Sequence, residues 1–316
     1  MIGTISRWPS TGACSATRSS KAWPRATLRA WAVARDDSLR AKVAEQLTTR
    51  SAAGGPLHRD AAECTERRYA TDVSRLVLHK RIVDRYLARG DPRRDGRSAI
   101  ITAGAPGSGK SSMLHAVVAD LDDYRVIDAD IIKDYLIEEA IDDGVYGHLL
   151  AEILADGYAL APRELSGLVH LESVKLADQI RRICIHRKEN VVIEGTLTWD
   201  GQGPRIFREL ADSEYTDIEV YGVDSGPAAA HEYALTRWWR GRLDWVSGAD
   251  QLGGRFTPVD AIDICYPKGG QSICTTHALQ FIDSAQSGEI PHVHVTILRR
   301  LTTGTLEVAD ERFYRQ

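Results

Sequence analysis

The stretch Ser98–Ser111 reads SAIITAGAPGSGKS and joins a short apolar run to a glycine-rich turn. Its second half, Gly104–Ser111, matches the pattern G-x-x-x-x-G-K-[ST] at every fixed position. Glycines allow a tight turn that directs several backbone N–H groups at one phosphate chain. We therefore predict a nucleotide-binding loop, preceded by a buried strand over Ser98–Ala103 and followed by a helix.

The chemistry of such a loop gives each polar residue an expected task. Lys110 is expected to reach the β- and γ-phosphates of ATP or GTP, and Ser111 to coordinate Mg²⁺. The N-terminus of the following helix adds partial positive charge at the same place. The predicted nucleotide-binding residues are Gly104, Ala105, Pro106, Gly107, Ser108, Gly109, Lys110, Ser111 and Ser112. The loop does not identify the acceptor of the phosphate.

Short apolar strands alternate with helical patterns from residue 98 to about 240. Further strands are predicted at 124–127, 191–193 and 218–221, with helices between them. This order is typical of βαβ units, in which helices cover both faces of a parallel sheet. Segments 292–298 and 306–308 predict a C-terminal β-hairpin. A helix is expected over 64–89, and a loop with one short helix over 241–275.

Charge is distributed unevenly along the 316 residues, whose formal net charge is −4. Residues 1–60 hold ten Lys/Arg and four Asp/Glu, whereas the remainder holds thirty and forty. We predict a basic, weakly ordered N-terminal extension over 1–60 and a kinase domain over 61–316, with a nucleic-acid-binding arm as the open alternative for the extension. The acidic remainder argues against a main body that grips nucleic acid.

Location is suggested by what the sequence lacks. It contains neither an apolar run long enough to cross a membrane nor an apolar signal segment near its start. Its five cysteines are odd in number and form no C-x-x-C, as expected in a reducing compartment. We therefore predict a cytoplasmic protein with no membrane partner.

Carboxylates follow two of the predicted strands. Asp128 and Asp130 follow the second strand, and Glu194 follows the third. The carboxyl ends of parallel strands meet at one edge of a sheet, where ligands bind. Transfer of a phosphoryl group to an alcohol needs a carboxylate that accepts the hydroxyl proton, for which Asp130 and Glu194 are candidates. Glu194 could instead hold Mg²⁺ through water, and Asp128 could instead cap the next helix.

Arginines form the third candidate group. Arg237, Arg240 and Arg242 lie close together, and Arg255 lies between glycines and a predicted helix start. Arginine stabilises charge on a transferring phosphoryl group, for which its planar guanidinium is well suited. The alternative for the first three is a solvated basic helix face.

Together these segments resemble the zeta-toxin family of P-loop kinases, from about residue 65 to 265. Ile101–Ser111 resembles the family's phosphate loop, and Val126–Lys133 resembles its second motif. Val169–Ser173 resembles a helix that lines the acceptor pocket, and Val192–Leu197 resembles the substrate-binding strand end. Gly254–Pro258 resembles the loop that carries a phosphate-sensing arginine. The resemblance implies a P-loop kinase-like α/β fold with helical insertions around the acceptor site.

The resemblance also implies roles for individual residues. Asp130 would be the catalytic base, and Arg255 would sense phosphate together with a second arginine, for which Arg237 fits best while Arg240 and Arg242 compete. With Lys110 these are the predicted catalytic residues. The predicted substrate-binding residues are Glu194, Thr196, Glu172 and Lys133.

The activity implied by the resemblance is transfer of the γ-phosphate of ATP, with Mg²⁺, to the 3′-hydroxyl of the sugar in UDP-N-acetylglucosamine. Such a product would stall cell-wall synthesis, and an antitoxin protein would be the partner. Two alternatives remain open. One is a kinase for another acceptor, such as a nicotinamide dinucleotide, another nucleotide sugar or an aminoglycoside-like antibiotic. The other is a nucleotide-binding regulator or DNA-associated NTPase without kinase activity.

Overall fold

The computed structural model describes residues 37–94, 96–267, 270–301 and 303–316. Among these residues, no helix is both long and apolar enough to cross a membrane. The strands are β1 (Ser98–Ala103), β2 (Arg125–Ile127), β3 (Val191–Ile193), β4 (Asp217–Asp224), β5 (His292–Arg300) and β6 (Leu306–Arg315). The helices are α1 (Asp37–Ser51), α2 (Thr65–Arg68), α3 (Arg75–Leu87), α4 (Lys110–Val117), α5 (Ala129–Asp142), α6 (Gly147–Leu150), α7 (His170–His186), α8 (Gln202–Ala211), α9 (Pro227–Val246), α10 (Val259–Asp263) and α11 (Ile273–Ala285), with 3-10 turns at Leu121–Asp123 and Pro162–Leu165.

The six strands form one sheet in the order β2-β3-β1-β4-β5-β6. The first five strands of that order are parallel, and β6 runs antiparallel to β5. Ile101 and Ile193 pair in register and pack under α3, α7, α8 and α11, whereas Ile100 and Val192 face α4 on the other side. The α/β prediction is confirmed, with helices on both faces and a C-terminal hairpin.

Helix α1 differs from the weakly ordered extension that was predicted over 1–60. Val43 and Leu47 of this helix are four residues apart, so they share one face, and both are fully buried. They join Leu149 and Trp238 in a second core away from the sheet. Residues 37–60 therefore belong to the folded unit. Residues 1–36 lie outside the described part of the chain, and the prediction for them stays a prediction.

Two helices differ from their predicted limits because of local side-chain hydrogen bonds. The helix expected over 64–89 divides into α2 and α3, because Asp72 accepts bonds from the backbone N (2.9 Å) and Oγ (2.6 Å) of Ser74 and stabilises a turn there. Helix α11 begins inside the segment predicted as loop. Ser272 caps it by accepting a bond from the backbone N of Cys274 at 3.2 Å.

Helix α9 is tied to its surroundings by a buried ionic network. Arg242 is fully buried and donates to Asp156 at 2.7 and 2.9 Å and to Glu164 at 2.8 Å. Trp238, one turn earlier, donates its indole N–H to Glu164 at 2.8 Å. The network therefore satisfies two buried carboxylates with one guanidinium and one indole.

We expect the variant Arg242→Met to lower the free energy of unfolding by about 3–5 kcal/mol, because Asp156 and Glu164 would stay buried without their cation. Arg240→Met, an exposed change on the same helix, should lie within about 0.5 kcal/mol of the wild type. Urea denaturation of both variants measures the difference. Equal midpoints for the two variants would contradict the structural role of the network.

Candidate active site

A cleft of about 1420 Å³ opens where the carboxyl ends of the parallel strands meet. Its nucleotide side is lined by the phosphate loop, residues 106–112, and by one face of α9. Its acceptor side is lined by the first turns of α5 and α7 and by residues 57–59. Both predicted halves of the site therefore open into one cavity.

The phosphate loop depends on three glycines in the left-handed backbone region. Gly104, Gly107 and Gly109 have φ values of 147°, 82° and 97°. A side chain on Gly107 would collide with the carbonyl oxygen of Ala230 in α9, so only glycine allows the loop to approach this helix. Gly109 precedes α4, whose first backbone N–H groups have no partners within the helix and belong to residues that line the cleft.

Lys110 bridges the phosphate loop. Its Nζ donates to the carbonyl oxygens of Gly104 at 2.8 Å and Ala105 at 3.0 Å. Burial lowers the pKa of Lys110, and the nearby Glu194 opposes that shift. The Oγ of Ser108 is buried without a hydrogen-bond partner beneath the loop. Of the nine predicted nucleotide-binding residues, six line the cleft, and Gly104, Ala105 and Ser108 lie behind it.

Ser111 and Glu194 meet at the start of α4. The Oγ of Ser111 donates to Oε1 of Glu194 at 2.7 Å. A hydroxyl and a carboxylate oxygen are the hard ligands that Mg²⁺ prefers, and this ion commonly completes its shell with phosphate oxygens and water. The described residues hold no group of three or more His, Cys, Asp or Glu side chains that could form a complete metal cage. The donor set therefore fits Mg²⁺ bound together with a nucleotide.

Asp128 and Asp130 face the cleft with opposite pKa shifts. Asp128 caps α5 by accepting a bond from the backbone N of Asp130 at 2.7 Å. Burial, together with the charges of Asp130 and Glu194, raises the pKa of Asp128 to about 7. Burial also opposes ionisation of Asp130, yet Lys133 at 2.9 Å and Arg255 at 3.1 Å hold its pKa below the usual range. Asp130 is thus the ionised member of the pair.

Arg255 is held in place from three sides. Its Nε donates to Ser166 Oγ at 3.1 Å, and its Nη2 donates to Asp134 at 2.6 Å and to the carbonyl oxygen of Asp130 at 2.9 Å. Arg163 holds the same Asp134 carboxylate from another side, at 3.0 Å. These contacts fix the guanidinium against the Asp130 carboxylate.

Helix α9 presents one polar face to the cleft. Tyr233, Thr236, Arg237 and Arg240 line it at the spacing i, i+3, i+4, i+7, which places them on one side of a helix. Arg242 lies on the other side, in the buried network, and does not line the cleft. It is therefore excluded as the second phosphate-contacting arginine, whereas Arg237 and Arg240 have the required access.

Glu172 does not lie where substrate binding requires it. The side chain is buried and accepts bonds from Arg75 at 2.7 and 2.9 Å, and its carboxylate lies 2.6 Å from His79. Burial opposes ionisation, but His79 and Arg75 lower the pKa of Glu172 to about 2. Side chains two positions apart on a helix point in directions that differ by about 200°. Since His170 faces the cleft, Glu172 faces α3. The predicted contact of Glu172 with substrate is corrected to a structural ion pair.

The other predicted acceptor-side residues do line the cleft. Glu194, Thr196 and Lys133 all face it, and the backbone carbonyl of Thr196 accepts a bond from Gly104 N at 3.1 Å. That bond ties the end of β3 to the phosphate loop. The loop and the acceptor side are therefore held in a fixed relative position.

Sequence reasoning missed Arg300, which ends β5 beside the phosphate loop. Its guanidinium carbon lies 4.6 Å from the ring centroid of Tyr233, its Nη1 lies 3.5 Å from the carbonyl oxygen of Ser108, and its Nε is buried without a partner. A side chain on Gly109 would collide with this guanidinium. Arg300 lies at the carboxyl end of a parallel strand, where ligands bind in such sheets. The same reasoning identified Asp130 and could have identified Arg300 from the sequence.

The structure resembles solved structures of low sequence identity. A complex titled AvrRxo1-ORF1:AvrRxo1-ORF2 with sulphate ions matches with a TM-score of 0.54 and 13% identity, covering 80% of this chain and 74% of that chain. The same pair with ATP gives a TM-score of 0.49 and 13% identity over 75% and 67%. The PezAT chromosomal toxin–antitoxin system of Streptococcus pneumoniae gives a TM-score of 0.44 and 14% identity over 76% and 81%. The first likeness supports the fold.

The sequence itself matches the family model described as Zeta toxin over residues 83–289. No curated protein matches the chain. The matched span covers well over half of the sequence and contains the phosphate loop, all three strand-end carboxylates and Arg255. The chain therefore belongs to the zeta toxin family.

Proposed function

We propose that this protein is an ATP-dependent kinase that phosphorylates a hydroxyl group of a small molecule. The observation that supports it best is the placement of the phosphate loop and the ionised Asp130 in one cleft. Membership of the zeta toxin family agrees with this reaction. The geometry provides one group of residues for the nucleotide and another for the acceptor, as phosphoryl transfer needs.

On the nucleotide side, the loop amides and Lys110 would bind the phosphates of ATP. The ammonium of Lys110 already sits within the loop, so it would exchange loop carbonyls for phosphate oxygens. Arg237 and Arg240, both exposed on the cleft face of α9, would stabilise charge on the transferring group. Mg²⁺, when bound by Ser111 with Glu194 nearby, would neutralise phosphate charge.

On the acceptor side, Asp130 would take the proton of the attacking hydroxyl. A carboxylate with a low pKa is a weak base, so its contribution is to orient the hydroxyl and to receive the proton as the new O–P bond forms. The guanidinium of Arg255 contacts Asp130, Asp134 and Ser166. We assign it as a positioning residue for the base.

For the acceptor we propose the 3′-hydroxyl of the sugar in UDP-N-acetylglucosamine, with Glu194, Thr196 and Lys133 in contact with it. A toxic role, an antitoxin partner and a cytoplasmic location complete the proposal, and all three rest on family membership. A screen with γ-labelled ATP, Mg²⁺, UDP-N-acetylglucosamine, NAD, aminoglycosides and DNA tests it. Label on no acceptor, while ATP still binds, would contradict the kinase function.

The variant Asp130→Asn is expected to reduce phosphoryl transfer by 10²-fold or more, because it removes the group that accepts the proton. The affinity of this variant for ATP should stay within about threefold of the wild-type value, since Asp130 is not part of the phosphate loop. Transfer of the label and equilibrium binding of ATP are measured on the same preparation. The matched control is Asp142→Asn, an exposed change at the end of the same helix. Undiminished transfer by Asp130→Asn would exclude this base.

The raised pKa of Asp128 predicts a pH dependence of ATP use. Below a pH of about 7 the Asp128 carboxyl is neutral, and above it Asp128 adds a negative charge to those of Asp130 and Glu194 in the cleft where the triphosphate would bind. We therefore expect kcat/KM for ATP, which reports the free enzyme, to fall as the pH rises through 7. The variant Asp128→Asn keeps a helix-capping side chain and should remove this fall. Parallel pH profiles of the variant and the wild type would show that Asp128 does not titrate there.

A further inference from the structure

The acceptor side of the cleft includes a segment that lies outside the family match. Leu57, His58 and Arg59 line the cleft, although the match begins only at residue 83. The segment is fixed at its start: Leu57 is fully buried, and its backbone N donates to the carbonyl oxygen of Arg50 at 2.9 Å. These residues are therefore an ordered wall of the cleft.

Close backbone packing connects this wall to the proposed base. Gly167 lies directly under it, because a side chain there would collide with the carbonyl oxygen of Leu57 and would lie 3.7 Å from the backbone N of Arg59. The preceding residue, Ser166, accepts a bond from Arg255, which in turn holds Asp130. The wall is thus one residue removed from the contacts that orient the base.

Arg59, the arginine of this wall, is only weakly paired with a carboxylate. The Arg59 side chain is 58% exposed, and its Nε lies 3.9 Å from Asp60, an exposed pairing that contributes little binding energy. His170 lines the cleft close by, and burial together with the charges of Lys133 and Arg59 lowers its pKa to about 4. His170 is therefore a neutral hydrogen-bonding group between two cations.

The carboxylate that lines the cleft beyond His170 is already paired. Asp178 contacts Arg181 at 2.6 Å and Arg205 at 3.1 Å. Because its charge is neutralised locally, Asp178 does not offset Arg59. Lys133 is paired with Asp130 at 2.9 Å, so of Arg59, Lys133 and Arg181 the Arg59 guanidinium has the weakest pairing.

We propose that Arg59 is a specificity-determining residue that binds a diphosphate group of the acceptor, with His58 and His170 as hydrogen-bonding neighbours. Arginine binds phosphate oxygens through a planar fork of N–H donors, which suits a diphosphate. Nucleotide sugars and dinucleotides both carry this group, whereas an aminoglycoside carries no diphosphate. The inference rests on the proposed kinase function and narrows its acceptor class.

The test measures acceptor binding with the phosphate loop already filled. Full-length protein is saturated with Mg²⁺ and a non-hydrolysable ATP analogue, and calorimetry then follows UDP-N-acetylglucosamine, NAD and, as a neutral probe, N-acetylglucosamine. We expect Arg59→Gln to weaken binding of a diphosphate probe about tenfold, with a smaller loss for Arg59→Lys. The matched control Arg67→Gln, exposed and outside the cleft, should stay within twofold.

Three outcomes would overturn the inference: a wild-type protein that binds no diphosphate probe, unchanged affinity in Arg59→Gln, or an equal loss for N-acetylglucosamine, which would indicate a structural effect. Comparing the affinities of UDP-N-acetylglucosamine and NAD distinguishes the two sources of the diphosphate. Labelled transfer to an aminoglycoside would overturn the role of Arg59 and leave the kinase function intact. Diphosphate binding that depends on Arg59, without transfer to any acceptor, would support Arg59 and overturn the kinase function.

Discussion

The contact between Arg255 and Asp130 is the interaction on which the rest of the cleft depends. One guanidinium joins the start of α5, Ser166 directly after the 3-10 turn, and the loop that follows α9. None of these segments belongs to the sheet, so their positions are set by this shared contact rather than by strand pairing. Although burial opposes ionisation of Asp130, Lys133 and Arg255 together keep its pKa low. Arg255 therefore contributes both to the geometry and to the charge of the proposed base.

The two sides of helix α9 have different roles, one in stability and one in the proposed function. Arg237 and Arg240 lie on the cleft side, and Arg242 lies on the buried side although only two residues follow Arg240. A helix turns about 100° per residue, so neighbours of identical type acquire unrelated environments. In this chain one arginine neutralises buried carboxylates while two others face the nucleotide side. The presence of an arginine in the sequence therefore does not show which of these roles that residue has.

The chain that precedes the family match contributes both to the core and to the cleft. Helix α1 buries Val43 and Leu47 against Trp238, and the following wall passes over Gly167. The family match contains the phosphate loop, the strand-end carboxylates and Arg255, whereas the cleft is also lined by this additional segment. Function lies in sites that are added to a fold, so a shared nucleotide loop is compatible with a different acceptor surface.

The parallel strands, the phosphate loop and the carboxylates at the strand ends could all be predicted from the amino-acid sequence. Short-range patterns are enough for these features, because glycines at fixed positions define the loop and parallel strands bring their carboxyl ends to one edge. Contacts between distant residues had to be seen in the tertiary structure. Only there does Glu172 turn towards Arg75, Arg242 become buried and Arg300 reach the phosphate loop, across 97, 78 and 192 residues of sequence. The direction of a charged side chain depends on which partner the fold brings within about 3 Å, and no local pattern records that distance.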